Sequence, residues 1–256
     1  MTKILAITNQ KGGVGKTTTS VNLAASLAAS GKRVLLVDLD PQANATMGSG
    51  TNKQTVKVTV YHVLLGDAPI QATRITGTQG KYDLIPANRD LAGAEVEMVD
   101  FSQRETRLKS ALEAIEHEYD YILIDCPPSL GLLTINGLTA AEEVIVPVQC
   151  EYYALEGLGQ LLKTIGLIQD NLGRDLKVKG ALLTMFDKRN KLGRQVAKEI
   201  RQHFPGYVFE AVIPRCIRLA EAPSFGKTIF QYDQRSQGGS AYRQLAEEII
   251  KLDKEN

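Results

Sequence analysis

The sequence predicts an α/β fold: a doubly wound, mostly parallel sheet with helices on both faces. Three observations carry that expectation. Short, nearly continuous apolar runs alternate with longer helical patterns along the chain, and strands that are apolar at every position are those covered by helices on both faces. A glycine-rich stretch, "TNQKGGVGKTTTS" (8–20), joins the first apolar run to a helical one. Two later apolar runs end in aspartates, Asp38 and Asp125, and ligands of such sheets bind at the carboxyl ends of the strands.

Taken in order, Ile4–Ile7 reads as the first strand, and "TTTSVNLAASLAAS" as a helix closed by Gly31. "RVLLVDLD" (33–40) and "YDLIPA" (82–87) are strands. Leu108, Ala111, Leu112 and Ile115 recur at helical spacing and predict one helix over 102–118. "YDYILIDCPP" (119–128) is a strand stopped by a proline pair, and "EEVIVPV" (142–148) and "KVKGALLT" (177–184) are two more, separated by a helix around 154–172. A helix over 191–204 puts Leu192, Val196, Ile200 and Phe204 on one stripe toward the core. Residues 45–80, rich in Thr, Gly and Val, show no clear period. With no repeat, low-complexity tract or linker, residues 1–256 read as a single domain.

Composition narrows the class. At 256 residues and 43% hydrophobic the chain can bury a large core. A formal net charge of +1 points to no partner by itself, so any basic surface is a local patch. Three scattered cysteines, Cys126, Cys150 and Cys216, suit reduced thiols rather than a disulfide framework. No signal peptide is seen, and no apolar run approaches the ~18 residues of a membrane-spanning helix. A soluble, cytoplasmic protein is expected.

The chemistry gathers at three strand ends. In the first loop, Gly12, Gly13 and Gly15 let backbone N–H groups approach phosphate oxygens, with Val14 and Thr18 alongside. Lys16 is placed to reach the β/γ-phosphates and the Thr17 hydroxyl to bind Mg²⁺. The acid ending "ILID", Asp125, is expected to hold Mg²⁺ through water. Asp38 and Asp40 alternate to the same side of their strand. Asp40, beyond the strand end, is assigned to orient or activate the attacking water, and Asp38 to support the metal shell or the loop. The other reading of Asp40 is a cap on the turn before Pro41.

One detail is unusual: the first glycine of a standard phosphate loop is replaced by Gln10, and Lys11 follows. The stretch Lys11-Gly12-Gly13-Val14-Gly15-Lys16-Thr17 resembles the deviant Walker A motif, K-G-G-x-x-K-[ST], of the ParA/MinD group of P-loop ATPases. "VLLVDLDPQANAT" (34–46), "YILIDCPPSLGLLTINGLTAA" (121–141), "VPVQCEYYALEGL" (146–158) and "IPRCIRLAEAPSFGK" (213–227) are similar to the small chromosomal, Soj-type ParA proteins. The similarity runs over about residues 2–245. It implies an ATPase that uses ATP and Mg²⁺ and forms a sandwich homodimer when ATP is bound. It makes Lys11 the signature lysine, contacting phosphates in the partner's site as an arginine finger does. A solvated surface lysine is the alternative.

The resemblance also bears on a basic run. "DKRNKLGRQVAKEIR" (187–201) places Arg194, Lys198 and Arg201 on one helical stripe. By itself such a run is as readily a solvated face. Soj-type proteins bind double-stranded DNA without sequence preference, through arginines matching Arg189 and Arg218, and such backbone contact is salt-dependent. Joining two weak patches in a dimer accounts for ATP dependence. The implied partner is a ParB/Spo0J-type centromere-binding protein whose basic tail stimulates hydrolysis, with entry near Glu151–Gly157. The implied location is the nucleoid. No helix-turn-helix extension precedes the first strand, so no operator-specific binding is expected. The adenine contacts implied are Pro214, Met185 and Cys216. Cys216 stands where the family usually has asparagine, which moves base recognition toward backbone groups or the Met185-Phe186 strand end.

Three rival readings make different demands on the sequence. A MinD-like membrane or cargo-positioning ATPase would need a basic amphipathic C-terminus, but "QLAEEIIKLDKEN" is acidic, so no membrane partner is expected. An iron–sulfur reductase would need cysteines in cluster contexts absent around Cys126 and Cys150. A non-catalytic binding module is opposed by the intact set Lys11, Lys16, Thr17, Asp40 and Asp125.

Overall fold

The computed structural model describes residues 2–151, 154–172 and 175–255, and of residues 154–158 and 171–172 the backbone alone. Six strands, β1 (Lys3–Ile7), β2 (Val34–Asp38), β3 (Asp83–Ile85), β4 (Tyr121–Asp125), β5 (Glu143–Gln149) and β6 (Lys177–Thr184), form one sheet in the order β3-β2-β4-β1-β5-β6. Every pairing is parallel.

Alternation along each strand divides the core in two. Ile4, Ala6, Leu35, Val37, Ile122, Ile124, Val144 and Val146 pack into one layer with Leu108, Leu138, Val196 and Ile200. Leu5, Ile7, Leu36, Leu123, Ile145 and Leu182 pack into the other with Leu23, Leu27, Tyr242 and Leu245. The second layer is roofed by the first helix, Lys16–Ala29, and the C-terminal helix, Gln237–Glu255. Gly31, at φ 80, closes the first helix by donating its N–H to the Ala28 carbonyl at 3.0 Å.

Register positions the site. Ile7 of β1 and Asp38 of β2 both stand opposite Asp125 of the central β4. Three strands therefore end level, with the glycine loop on one side of Asp125 and Asp38 on the other.

The structure departs from the expectations in three places. The span 102–118 is not one helix but a 3₁₀ turn at Arg104–Thr106, a helix at Arg107–Leu112 and another turn at Glu116–Glu118. Leu108, Leu112 and Ile115 are still buried and Ala111 half-buried, but distant side chains fix the ends. Asn136 Oδ1 accepts the Leu108 N–H at 3.1 Å, and the Thr2 hydroxyl donates to the Glu116 and Tyr119 carbonyls at 2.9 Å each. Leu192, expected on the core stripe, is 43% exposed, because the helix Lys191–His203 meets the core from Gly193 and Val196 onward. Residues 45–80 hold short helices at Asn44–Gly48, Val60–Leu65 and Ile70–Thr73, anchored by long-range bonds such as Ser49 Oγ to Tyr82 Oη at 2.6 Å. No helix among the described residues is long and apolar enough to cross a membrane.

Candidate active site

The loop between β1 and the first helix turns on two left-handed glycines, Gly13 at φ 74 and Gly15 at φ 89, where a side chain would be strained. A Cβ added at Gly12 or Gly13 would meet nothing within 4 Å, so the outer face of the loop is open to a ligand. Gly15 leads into the helix Lys16–Ala29, whose N-terminal amides and dipole favour an anion there. The Thr184 hydroxyl at the end of β6 donates to the Val14 carbonyl at 2.8 Å and holds the loop down.

Asp125 is fully buried and accepts from two hydroxyls, Thr17 Oγ1 at 2.8 Å and Ser20 Oγ at 2.8 Å. Burial, and then the charge of Asp38, push its carboxyl well above the ordinary carboxylate range. Thr17 and Asp125 thus form a hard-oxygen pair beside the loop, the donor type Mg²⁺ takes. Among the described residues no cluster of three or more His, Cys, Asp or Glu could hold a metal alone. A metal that fits here would draw its remaining ligands from nucleotide oxygens and water.

Asp38 is also fully buried, and both its oxygens are engaged. Oδ1 accepts the Asp40 N–H at 3.1 Å, while Oδ2 accepts the Thr46 N–H and hydroxyl at 2.7 Å each. Burial raises its carboxyl above the ordinary value against these three donors. Asp40 Oδ1 accepts the Gln42 N–H at 2.8 Å, so turn-capping occupies one of its two oxygens. Lys16 is 7% exposed, and its Nζ donates to the Lys11 carbonyl at 3.2 Å. Burial lowers its pKa, opposed by the charges of Asp125 and Asp40. The Lys11 ammonium leaves the loop and lies 3.5 Å from Glu151 Oε2.

A cavity of about 200 Å³ opens beside Gly15 and Thr18, lined by Thr184, Met185, Ile213, Pro214, Cys216 and Tyr242 among others. The three adenine-side residues expected from sequence, Met185, Pro214 and Cys216, therefore meet in one cavity next to the phosphate loop. Met185 adopts φ 50, a left-handed turn unusual for a side chain that size. Its neighbour Phe186 donates its N–H to the Ile213 carbonyl and accepts from the Arg215 N–H, each at 3.1 Å, which ties the two walls together.

On the helix Lys191–His203, Arg194, Lys198 and Arg201 are exposed, opposite buried Val196 and Ile200. Arg189, in the preceding turn, makes a two-pronged contact with Asp187 at 3.0 and 2.8 Å, and this holds the Asp187 carboxyl down at about 2. Arg218 pairs with Glu221 at 3.0 Å. Both pairs are exposed, and a polyanion can displace such acids. Of the expected partner entry near Glu151–Gly157, residues 152–153 and the side chains of 154–157 lie outside the described residues.

Sequence reasoning missed Ser20, Thr46, Thr184 and Asn9. Ser20 stands three residues after Thr17 on the same helical face, and that spacing could have found it. Thr46 and Thr184 reach the site through tertiary bonds with no local signal, and Asn9 combines a local turn onto the Lys11 N–H with a bond to the distant Pro147 carbonyl.

A glycine loop that carries Lys11 as well as Lys16 and opens a helix, with a Thr–Asp pair at the end of the neighbouring strand and an adjoining cavity, defines a P-loop nucleotide-binding ATPase of the deviant Walker A type. The family described as "AAA domain" matches residues 2–178. The chain is 59% identical over 249 residues to the sporulation initiation inhibitor protein Soj of Bacillus subtilis, covering 97% of this chain and 98% of that protein. It is 54% identical over 252 residues to the chromosome partitioning protein ParA of Myxococcus xanthus, covering 98% and 89%. Among solved structures, the cobyrinic acid a,c-diamide synthase of Mycobacterium smegmatis with bound ADP and magnesium superposes with a TM-score of 0.88 at 42% identity, over 99% of this chain and 96% of that one. The chain belongs to the ParA/Soj family of chromosome-partitioning ATPases.

Proposed function

We propose that this chain, as a single P-loop domain, binds Mg·ATP, closes into a sandwich homodimer, coats DNA without sequence preference and lets go on hydrolysis. The observation that carries the reading is the convergence, at the carboxyl end of the sheet, of the open glycine loop, Lys16, the Thr17–Asp125 pair and the cavity at Met185, Pro214 and Cys216. In it Gly12, Gly13, Val14, Gly15 and Thr18 receive the phosphates, and Lys16 offsets their charge. Mg²⁺, when bound, supplies Lewis-acid stabilisation of the phosphates, held by Thr17 and Asp125. Asp38 serves the metal at one remove, by holding Asp40 and Thr46. Asp40 orients the attacking water with the oxygen not used in its turn.

Lys11 acts in trans. In the monomer it rests near Glu151, an exposed pair of small worth that a partner's phosphates can outbid. Arg189, Arg194, Lys198, Arg201 and Arg218 contact DNA phosphates, and dimerisation joins two such patches. The partner that stimulates hydrolysis is a ParB-type centromere-binding protein, and the protein works in the cytoplasm on the nucleoid. A membrane-bound, MinD-like role is disfavoured by the C-terminal helix. Its apolar face (Tyr242, Leu245, Ala246, Ile249) is spent on the core, and Glu248 is committed to Tyr207 and the Ala211 amide.

DNA co-sedimentation of Asp40→Ala tests this reading. With ATP and magnesium it is expected to stay on DNA of any sequence, and with ADP to stay off. Raising salt from 50 to 200 mM should cost on the order of 10³-fold or more in affinity, given five phosphate-contacting side chains in each of two joined patches. Absence of DNA binding in every nucleotide state, with wild-type ATP turnover intact, would make the basic stripe a solvated face.

A further inference from the structure

Asn9 carries an inference that the nucleotide chemistry alone does not need. It is 4% exposed, and both ends of its carboxamide are used. Nδ2 donates to the Pro147 carbonyl at 2.8 Å, and Oδ1 accepts the Lys11 N–H at 3.0 Å. The first bond has a backbone origin. β1 pairs with β5 as far as Ile7 opposite Ile145, and the Thr8 N–H still reaches the Ile145 carbonyl at 3.2 Å. Two residues on, Pro147 points the same way, but the chain of β1 has turned off into the loop. Pro147 has no N–H to offer and its carbonyl needs a donor. The Asn9 carboxamide takes that place, extending the ladder by one side-chain bond.

The second bond is an Asx turn, in which a side chain binds the amide two residues on. Lys16 Nζ holds the Lys11 carbonyl from the other side at 3.2 Å. The backbone of Lys11 is therefore clamped at both its N–H and its C=O, while its side chain is 36% exposed and leaves the loop toward Glu151. The clamp fixes where the Lys11 side chain starts, and its anchor is the sheet rather than the loop.

Building on the in-trans role proposed for Lys11, we infer that Asn9 is a positioning residue: it transmits the rigidity of β5 to Lys11 and sets the direction in which that lysine crosses to a second copy of this chain. Its contribution falls on turnover in the dimer and not on nucleotide affinity in the monomer. The phosphate amides at Gly12–Gly15 have their own anchor, the Thr184 hydroxyl on the Val14 carbonyl.

The test compares Asn9→Ala, Asn9→Asp and Lys11→Ala in the full chain. Affinity for a fluorescent ATP analogue, kcat for ATP at saturation, and ATP-dependent dimer formation are read for each. Asn9→Ala is expected to bind the analogue within about twofold of wild type. Its kcat should fall at least about tenfold, since a misplacement near 1 Å can cost up to ~10²-fold. Asn9→Asp keeps the acceptor for the Lys11 N–H and should recover part of the lost kcat. Lys11→Ala is expected to lose ATP-dependent dimers. If Lys11→Ala dimerises and turns over like wild type, the in-trans role fails and this inference with it. If Lys11→Ala fails while Asn9→Ala keeps wild-type kcat, only the role of Asn9 is overturned. A loss in Asn9→Ala confined to nucleotide affinity, with kcat restored at saturation, overturns it equally.

Discussion

Lys16→Met is expected to lower ATP turnover by about 10²–10³-fold, the order lost when one preorganised charge is taken from a transition state, while leaving the protein folded. Lys16 is 7% exposed, and among the described residues its ammonium has one hydrogen-bond partner, the Lys11 carbonyl. Among the described residues no carboxylate stands within ion-pair distance of its Nζ, and burial pushes its pKa down. A desolvated ammonium with an incomplete set of partners costs stability. Methionine keeps the apolar stem and removes that cost, so the melting temperature should hold within a few degrees or rise. Steady-state turnover with a thermal melt checks both halves. Turnover within a few-fold of wild type would remove Lys16 from the site.

The second buried lysine is predicted to behave in the opposite way. Lys179, at the amino end of β6, has a side chain 4% exposed and lies 2.6 Å from Glu143 and 2.6 Å from Asp253. The other Asp253 oxygen accepts the Tyr121 hydroxyl at 2.7 Å. This network joins β4, β5 and β6 to the C-terminal helix, at the sheet end remote from the glycine loop. Lys179→Ala leaves two largely buried carboxylates without their cation, a loss of about 3–5 kcal/mol. For a domain of this size that is a fall on the order of 10 °C in Tm. Replacing all three groups together, as Lys179→Met with Glu143→Gln and Asp253→Asn, should recover most of it, because no bare charge remains. ATP turnover per folded molecule should not change. A Lys179→Ala protein that melts with wild type would show the network to be dispensable.

The contrast between the two lysines indicates what was legible in the sequence. Lys16 belongs to a local pattern, glycines and a threonine at fixed offsets, whose chemistry follows from spacing. Lys179 sits in "KVKGALLT", read correctly as a strand, but its acids come from positions 143 and 253 and nothing local announces them. The strands were legible for the same reason as the loop: apolar at every position because both faces are covered. Their ends were less legible: "RVLLVDLD" runs past Asp38, where the sheet stops and Leu39-Asp40 belong to the loop, while the first strand begins one residue earlier, at Lys3, and "KVKGALLT" matches its strand end to end. The span 102–118 kept its apolar spacing while its backbone broke, since burial of Leu108, Leu112 and Ile115 is compatible with turns that Asn136 and Thr2 cap from afar. The family resemblance identified Met185, Pro214 and Cys216, which adjoin one cavity in the fold. Half of what Asn9 does was local, the Asx turn onto the Lys11 N–H, but the bond that ties it to the sheet goes to the Pro147 carbonyl of β5, 138 residues away, and nothing near it in the chain announces that.

The account centres on a dimer made and unmade by nucleotide. Sedimentation velocity of Asp40→Ala with magnesium measures it most directly. A dimer is expected with ATP and a monomer with ADP, and adding Lys11→Ala to the same chain should return the ATP-bound form to monomer. A monomer at saturating ATP, or a dimer indifferent to which nucleotide is present, would contradict the account.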